Sequence, residues 1–381
     1  MCGICAIRRS RPKGRFCLEL RLTREDGTDM EHIEYYENMA KHSKCHHWVP
    51  KFYLENFSIP GDDGFVFFYR RGEQPLRIST GAIAKQNDLY TFHKATGGST
   101  RAIEGMFSEH EGRTAHILDK ILREESLPED EESLSELAVF VSILRVRGPS
   151  FSEWLRNMDA EHIKLFQQTQ AKHPKSLKGN FEKAGIIFST DEEFEETRKF
   201  LLNPENYNVE MKGGKEHYFK QAMDLSKEIY QILMVKKSWH LLIASGKRHF
   251  ITSDNPVVIQ ELKDCPPHLA GGVLNGTVLL PLSPKICLAF RRFPLKKQNI
   301  LLAKEDVINI NRSIVNAARR QVYGHLSSKD IMKLCNEQLV GNESRVKISR
   351  LTKFAPYYIS QSITQYRETE GILKSSLPLP F

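Results

Sequence analysis

Residues 65–80 read FVFFYRRGEQPLRIST, and this stretch predicts a pair of β-strands. Its aromatic and β-branched residues favour an extended chain, and the polar GEQP segment between them is typical of a turn. Upstream, HHWVPKFYLENF (46–57) is expected to be extended. Downstream, IAKQNDLYTF (83–92) is expected to form a third short strand. The chain is therefore predicted to begin its fold with β-structure.

Helical patterns dominate the middle of the chain, because apolar residues recur there at helical spacing between capping and breaking residues. HPKSLKGN (173–180) is expected to interrupt them. The predicted helices are 101–125, 133–147, 150–172, 191–202 and 215–238.

Strands return after the helices. The apolar segments WHLLIASG (239–246), RHFITSDNPVVIQ (248–260) and GTVLLPLSPKICLAFRRF (276–293) are β-rich, and EDVININRSIVNAARRQVYG (305–324) is predicted to be one amphipathic helix. This order of elements indicates an α+β fold. We expect the N-terminal and C-terminal strands to share one sheet, with a helical insert at about 99–238.

The chain has 381 residues, of which 40% are hydrophobic and 27% are charged, as in ordinary globular proteins. We expect residues 39–381 to form a single domain. Residues 1–38 show no clear helical or strand period, so we expect them to be disordered or to precede the true start at Met39.

The formal net charge of +8 is concentrated in this N-terminal arm. Residues 1–24 contain seven Arg and Lys residues against Glu19 alone, which leaves about +2 for the rest of the chain. A basic arm favours phosphates, so nucleic acid is the expected partner of the arm, while the body shows no strong electrostatic sign of such binding. The sequence does not indicate an oligomeric state.

Several classes of protein are disfavoured. No apolar run approaches the length of a membrane span, and the N-terminus has no secretory apolar segment. Seven scattered cysteines indicate reduced thiols and a cytoplasmic location. Motifs for zinc proteases, P-loops, dinucleotide-binding folds and α/β-hydrolases are absent, so no metal site is predicted and no cofactor is indicated. The terminal MCGIC holds a single CxxC, which is weak evidence for metal or redox chemistry.

Four ordered segments resemble the signatures of the DUF4238 family. They are HHWVPKFYLENF (46–57), FITSDNPVV (250–258), LPLSPKICLAF (280–290) and NRSIVNAARRQVYG (311–324). LRVRGP (144–149) also lies where this family tends to have an arginine at the end of a helix. The resemblance implies no activity, because the family is defined by the lack of an assigned function.

Three residues are candidate catalytic groups. His47 has a side chain suited to acid–base chemistry near pH 7, although a histidine at the start of a strand is more often structural. Asp254 lies in the polar Ser-Asp-Asn-Pro turn at the end of a strand and is expected to hydrogen-bond the His47 ring. Arg147 ends an apolar helix, where it either complements the helix terminus or clamps an anion.

Further polar residues are candidates for substrate binding. Ser253 and Asn255 flank Asp254, and Asn311 stands inside a predicted helix, where asparagine is a poor helix former. Glu104 is a further candidate carboxylate on the first long helix, with a solvated helix face as its ordinary interpretation.

Two hypotheses for function follow. In the first, the chain is a hydrolase acting on phosphodiester or nucleic-acid substrates, with His47, Asp254 and Arg147 meeting in a cleft. In the second, it is a non-catalytic binding or regulatory protein in which the His-x-Val-Pro and Ser-Asp-Asn-Pro motifs are structural. Convergence of these side chains on one site would favour the first hypothesis.

Overall fold

A computed structural model describes residues 5–9, 18–22, 45–93, 99–100, 102–209, 214–260 and 272–339. The helices are α1 (Lys51–Glu55), α2 (Ala102–Glu124), α3 (Glu131–Val146), α4 (Pro149–Ala171), α5 (Pro174–Lys183), α6 (Asp191–Leu202), α7 (Lys215–Lys236), α8 (Gly272–Asn275), α9 (Lys304–Ala317) and α10 (Lys329–Gln338). The strands are β1 (Cys5–Arg9), β2 (Leu18–Leu22), β3 (Cys45–His47), β4 (Phe65–Tyr69), β5 (Leu76–Ser79), β6 (Lys85–Asn87), β7 (Phe92–His93), β8 (Ser99–Thr100), β9 (Ser238–Ala244), β10 (Thr252–Ser253), β11 (Val258–Gln260), β12 (Thr277–Pro281), β13 (Ile286–Arg291), β14 (Asn299–Leu302) and β15 (Val322–Gly324). The predicted α+β class is confirmed.

The described residues divide into two compact units. One unit contains the described residues up to 150 and from 222 to 339, and the other contains 151–221 without its undescribed gap at 210–213. The expectation that 39–381 is one domain stays a prediction.

The larger unit contains a four-stranded sheet in the order β10-β15-β4-β5. The predicted hairpin is present, because β4 and β5 pair antiparallel with Phe65 opposite Ser79. β15 pairs with the other edge of β4, placing Tyr323 opposite Phe68. N-terminal and C-terminal strands therefore share a sheet, as predicted.

A second sheet of the same unit has the order β11-β12-β13-β9-β14 and is built only from C-terminal strands. β14 pairs parallel to β9, and the other neighbours are antiparallel. Both faces of β13 are buried. Leu288 and Phe290 join a core with the helices α1 to α3, while Cys287 and Ala289 join a core with α9. This explains the continuous apolar sequence of the strand.

The prediction that 48–57 is extended is wrong. The strand β3 ends at His47, and α1 follows Pro50, whose φ of −59° and ψ of 142° place it just before a helix. The helical turn directs Tyr53, Leu54 and Phe57 into the core, where all three are fully buried. Burial of these large apolar side chains on one helical face outweighs their preference for a strand.

Three other boundaries differ from the prediction. α3 begins two residues early, because the Asp130 side chain accepts the Ser133 amide at 2.7 Å and caps the helix. Residues 174–183 form α5 instead of a break, since Pro174 occupies the first helical position, where proline is tolerated. The segment 305–324 is not one helix: Ala318 leaves the helical conformation with ψ at 140°, and the chain continues into β15.

Some helices and strands of the structure were not predicted from the sequence. The edge strand β14 and the helix α10 had no expected counterpart. The predicted third strand became β6, which pairs with β3 and places His47 opposite Lys85.

The smaller unit and the N-terminal arm are described separately. In the smaller unit, α4 to α6 enclose an apolar cluster of Ala171, Leu177, Phe181, Phe194 and Leu201. Within the arm, the backbones of β1 and β2 pair antiparallel. The rest of residues 1–38 lies outside the described residues, so the expectation for the arm stays a prediction. In the described part of the chain, no helix is both long and apolar enough to cross a membrane.

Candidate functional site

The two adjacent histidines of β3 point to opposite sides, as strand alternation requires. His46 is 1% exposed, its Nδ1 accepts the Tyr90 amide at 2.9 Å, and its ring stacks on Tyr90. His46 is therefore a core residue. His47 faces the other side and is half-buried.

Burial lowers the pKa of His47 below its usual 6.5. The charges of Lys85, Arg147 and Lys51 lower the pKa further, while a hydrogen bond to the Gly81 backbone raises it. His47 is therefore neutral at pH 7 and able to accept a proton.

Arg147 is held rigidly at the end of α3. Its Nε donates to the Trp48 carbonyl oxygen at 2.7 Å, and its Nη1 donates to Glu111 Oε1 at 2.7 Å. The side chain is 2% exposed and lies over the Phe107 ring, 5.3 Å from the centroid. Two of its three nitrogens are thus fixed, and the direction of the third, Nη2, follows from the planar geometry of the guanidinium.

Two carboxylates of α2 accompany Arg147. Glu104, Phe107 and Glu111 occur at helical spacing, so they share one face of the helix. Burial raises the pKa of Glu104 to about 7, with a further rise from the charge of Glu111 and an opposing effect from Arg147. Glu104 is half-buried, and a carboxylic acid with this pKa holds a proton in about half of the molecules at neutral pH.

Arg147 lies beside the strand end that carries His47, because its Nε bonds the carbonyl of the next residue, Trp48, and its charge lowers the His47 pKa. In this region two buried nitrogens, His47 Nε2 and Arg147 Nη2, have no hydrogen-bond partner among the described residues. An unsatisfied buried nitrogen costs about 1–3 kcal/mol, so such atoms are expected where a ligand completes the hydrogen bonding.

Asp254 does not join this group through its side chain. Its Oδ1 accepts the Arg319 amide at 2.8 Å and its Oδ2 accepts the Arg320 amide at 3.0 Å, just after α9 ends. Burial raises the pKa of Asp254 to about 6 against these backbone hydrogen bonds. In the described part of the chain no hydrogen bond joins Asp254 to His47, so the expected pair is corrected: the carboxylate satisfies the turn after α9 instead.

The remaining predicted residues also bond the backbone. Ser253 Oγ accepts the Asn255 amide at 3.2 Å, and Asn255 Nδ2 donates to the Ala317 carbonyl at 3.0 Å. Asn311 Oδ1 accepts the amide of Ile251 at 3.2 Å, and its Nδ2 donates to the carbonyl of His249 at 2.8 Å. Asn311 therefore fixes the segment before the Ser-Asp-Asn-Pro turn, which gives this asparagine the hydrogen-bonding task that its position inside a helix suggested.

Trp48 connects the two groups. Its indole Nε1 donates to the Asp254 carbonyl at 2.9 Å, and its own carbonyl accepts from Arg147. Arg145 adds a long contact, from Nη1 to Asn255 Oδ1 at 3.4 Å. The predicted residues thus form one connected region. Within it, His47 and Arg147 have nitrogen atoms left for a ligand, and the Ser-Asp-Asn-Pro residues form a structural frame that holds the backbone in place.

Two cavities of the larger unit lie elsewhere. One, of about 870 Å³, is bordered by the five-stranded sheet and α9, and none of the six predicted site residues lines it. The other, of about 390 Å³, is lined by Asn311 together with His249 and His325. The titratable groups around Arg147 line neither of these two cavities.

Sequence reasoning missed Glu111 and Tyr90. Tyr90 packs edge-on against Phe107 and its hydroxyl donates to the Arg147 carbonyl at 3.2 Å. A usable signal existed for Glu111, because it follows Glu104 by seven residues and therefore lies on the same helix face. Within the described ranges, no three His, Cys, Asp or Glu residues are grouped so that they could hold a metal ion.

Comparison with known proteins gives one finding. Residues 45–328 match the profile of the family described as "Protein of unknown function (DUF4238)". No curated protein and no solved structure matches the chain. The match includes all six predicted site residues.

Proposed function

Because the chain belongs to the DUF4238 family of proteins of unknown function, we propose its function from the geometry of the site: a hydrolase that cleaves a phosphodiester. One observation carries the proposal. His47 Nε2 and Arg147 Nη2 are both buried and without a hydrogen-bond partner in the described part of the chain, and Arg147 Nε bonds the carbonyl of Trp48, the residue next to His47. A phosphate oxygen accepts a hydrogen bond from Arg147 Nη2, which the planar guanidinium directs, and the neutral His47 Nε2 is able to accept one from an attacking hydroxyl.

Each group then has one role. Arg147 Nη2 binds a non-bridging phosphate oxygen and stabilises the negative charge of the transition state. Neutral His47 takes the proton of the attacking hydroxyl as its oxygen bonds to phosphorus. Protonated Glu104 gives its proton to the leaving oxygen as the other P–O bond breaks. Asp254 is a positioning residue in this proposal, because it acts on the site through Trp48, and Ser253, Asn255 and Asn311 support the frame.

The pH dependence of kcat/KM tests these roles. The active form requires neutral His47 and protonated Glu104, so the rate should rise through a pKa below 6.5 and fall above about pH 7. With bis(4-nitrophenyl) phosphate and short RNA and DNA oligonucleotides as substrates, His47→Gln should remove the acidic limb and Glu104→Gln the alkaline limb. Glu109→Gln, on the same helix but paired with Arg113, is the matched control.

Wild-type rates in both variants, or no turnover of any of the three substrates by the folded wild-type chain, would overturn the hydrolase proposal. The second outcome would direct attention to a second candidate function, which is anion binding without catalysis. The observation favouring it is that the side chains of Asp254, Ser253, Asn255 and Asn311 all form hydrogen bonds with backbone groups, to which Asn255 adds one long contact with Arg145. Calorimetric binding of a phosphodiester, weakened in His47→Gln, would support that candidate.

We also propose that the arm of residues 1–38 contributes non-specific attraction to nucleic acid, and that the protein acts in the cytoplasm. The support for the arm is its concentrated positive charge. The support for the location is the use of cysteine: Cys287 and Cys335 are buried thiols that form no disulfide. Binding of RNA that is unchanged after deletion of residues 1–38 would exclude the first proposal.

A further inference from the structure

We propose that the cavity of about 870 Å³ is a second binding site, which takes an aliphatic chain with an anionic head group. This site is separate from the one assigned to the phosphodiester. Its volume lies within the range of about 300–1,000 Å³ that is usual for small-molecule sites.

The cavity lies between one face of the five-stranded sheet and the helix α9. β13 presents Cys287 and Ala289 to the α9 side, while the neighbouring strands present the larger Leu279 and Leu242. Ile310 of α9 closes the apolar surface from the opposite side. Leu242 and Leu279 line the cavity, whereas Cys287 and Ala289 are fully buried and do not.

The chemistry of the lining identifies the ligand class. Its apolar lining residues are all aliphatic and comprise four leucines, three isoleucines and Ala317. No aromatic side chain is among the residues described as lining the cavity. Planar rings such as nucleobases bind preferentially by stacking on aromatic side chains, so this lining favours a flexible aliphatic chain.

The head group is selected by charge. Arg291 continues the alternation of β13 after Cys287 and Ala289, so its side chain leaves the strand on the cavity side. Its Nε is buried and has no hydrogen-bond partner in the described part of the chain. Arg312 of α9 also lines the cavity, and Asp306 is the single acidic lining residue, so the described charges favour an anion.

Binding of dodecanoate to the full chain, measured by titration calorimetry below its micelle concentration, tests the chain-binding part. Ile300→Trp should fill the cavity and weaken binding at least tenfold. Leu301→Trp is the matched control, because Leu301 is 72% exposed and alternation directs it away from the cavity. Circular dichroism confirms that both variants are folded.

The anionic part is tested with dodecyl phosphate, dodecanol and a second pair of variants. Both anions should bind at least tenfold more tightly than dodecanol, and the tighter of the two identifies the source as a carboxylate or a phosphate. Arg291→Gln should weaken anion binding tenfold, and Arg292→Gln, whose guanidinium bonds Asn275 instead, should not. Equal affinities in Ile300→Trp and wild type would overturn the site, and equal affinities for dodecanol and dodecanoate would overturn the anionic head group. Neither result concerns His47 or Glu104, so the outcome of these experiments does not affect the hydrolase proposal.

Discussion

Glu104→Gln should stabilise the protein at alkaline pH. The carboxyl is half-buried beside Arg147, and burial raises its pKa from 4.5 to about 7. The folded chain therefore holds this proton more tightly than the unfolded chain, and the stability falls as the pH rises from about 4.5 to about 7. Above pH 7 the folded chain contains an ionised carboxylate that its environment disfavours.

The magnitude follows from the same pKa. At 1.36 kcal/mol for each pKa unit, the rise from 4.5 to about 7 lowers the free energy of unfolding by at most about 3 kcal/mol when Glu104 is fully ionised. Partial exposure of the side chain reduces this to about 2 kcal/mol. Glutamine has nearly the same shape and cannot ionise, so the variant removes the pH-dependent cost and keeps the packing.

Urea denaturation of wild type and Glu104→Gln, followed by circular dichroism at several values from pH 4.5 to pH 8, measures this difference. The variant should gain about 2 kcal/mol relative to wild type between the ends of the series. Glu109→Gln on the same helix controls for the loss of one carboxylate. A gain below about 0.5 kcal/mol, or an equal gain in the control, would show that burial does not hold Glu104 protonated, and the general acid would lose its physical basis.

Four further variants test the frame and the packing around two glycines. Asp254→Ala should lower the free energy of unfolding by about 1–3 kcal/mol, because two backbone amides lose their acceptor. An NMR titration of this variant should show an unchanged His47 pKa, and a shifted pKa would show that Asp254 and His47 interact after all. Asn311→Ala should cost a similar amount in urea denaturation, since it leaves a buried amide and a buried carbonyl unpaired, and a loss below about 0.5 kcal/mol would contradict this. Gly276→Ala should lower the free energy of unfolding by about 1–3 kcal/mol, because its Cβ would lie 2.9 Å from a backbone oxygen. Gly112→Ala, in an open helical position, should raise it by about 0.5–1 kcal/mol, and equal thermal midpoints of the two variants would contradict this difference.

The candidate site was partly readable from the sequence. His47 and Arg147 were chosen because each residue type has a chemistry that a site needs, and Arg147 bonds the backbone of Trp48, the residue next to His47. Asp254 was assigned to the wrong partner. A polar residue at the end of a strand bonds either a ligand or nearby unpaired backbone amides. Here the amides of Arg319 and Arg320 come from a segment about 65 residues away in sequence. Sequence spacing carries no information about such a contact.

By itself, the sequence determined the elements whose signals are local. The hairpin of β4 and β5 and the long helices follow from side-chain periodicity and from turn and capping residues, which act over a few neighbours. It also indicated that the segment containing β13 is an apolar strand, and the burial of both faces of this strand agrees with its composition.

The tertiary structure decided the features that depend on contacts between residues distant in sequence. Tyr53, Leu54 and Phe57 form a helical turn because the core receives all three side chains from one direction, although their local preference is extended. The end of α9 is likewise fixed by Asp254. The environment of Glu104 is the clearest case: the same carboxyl would be an ordinary solvated acid on an exposed helix, and its proton is retained at neutral pH because folding removes it from water.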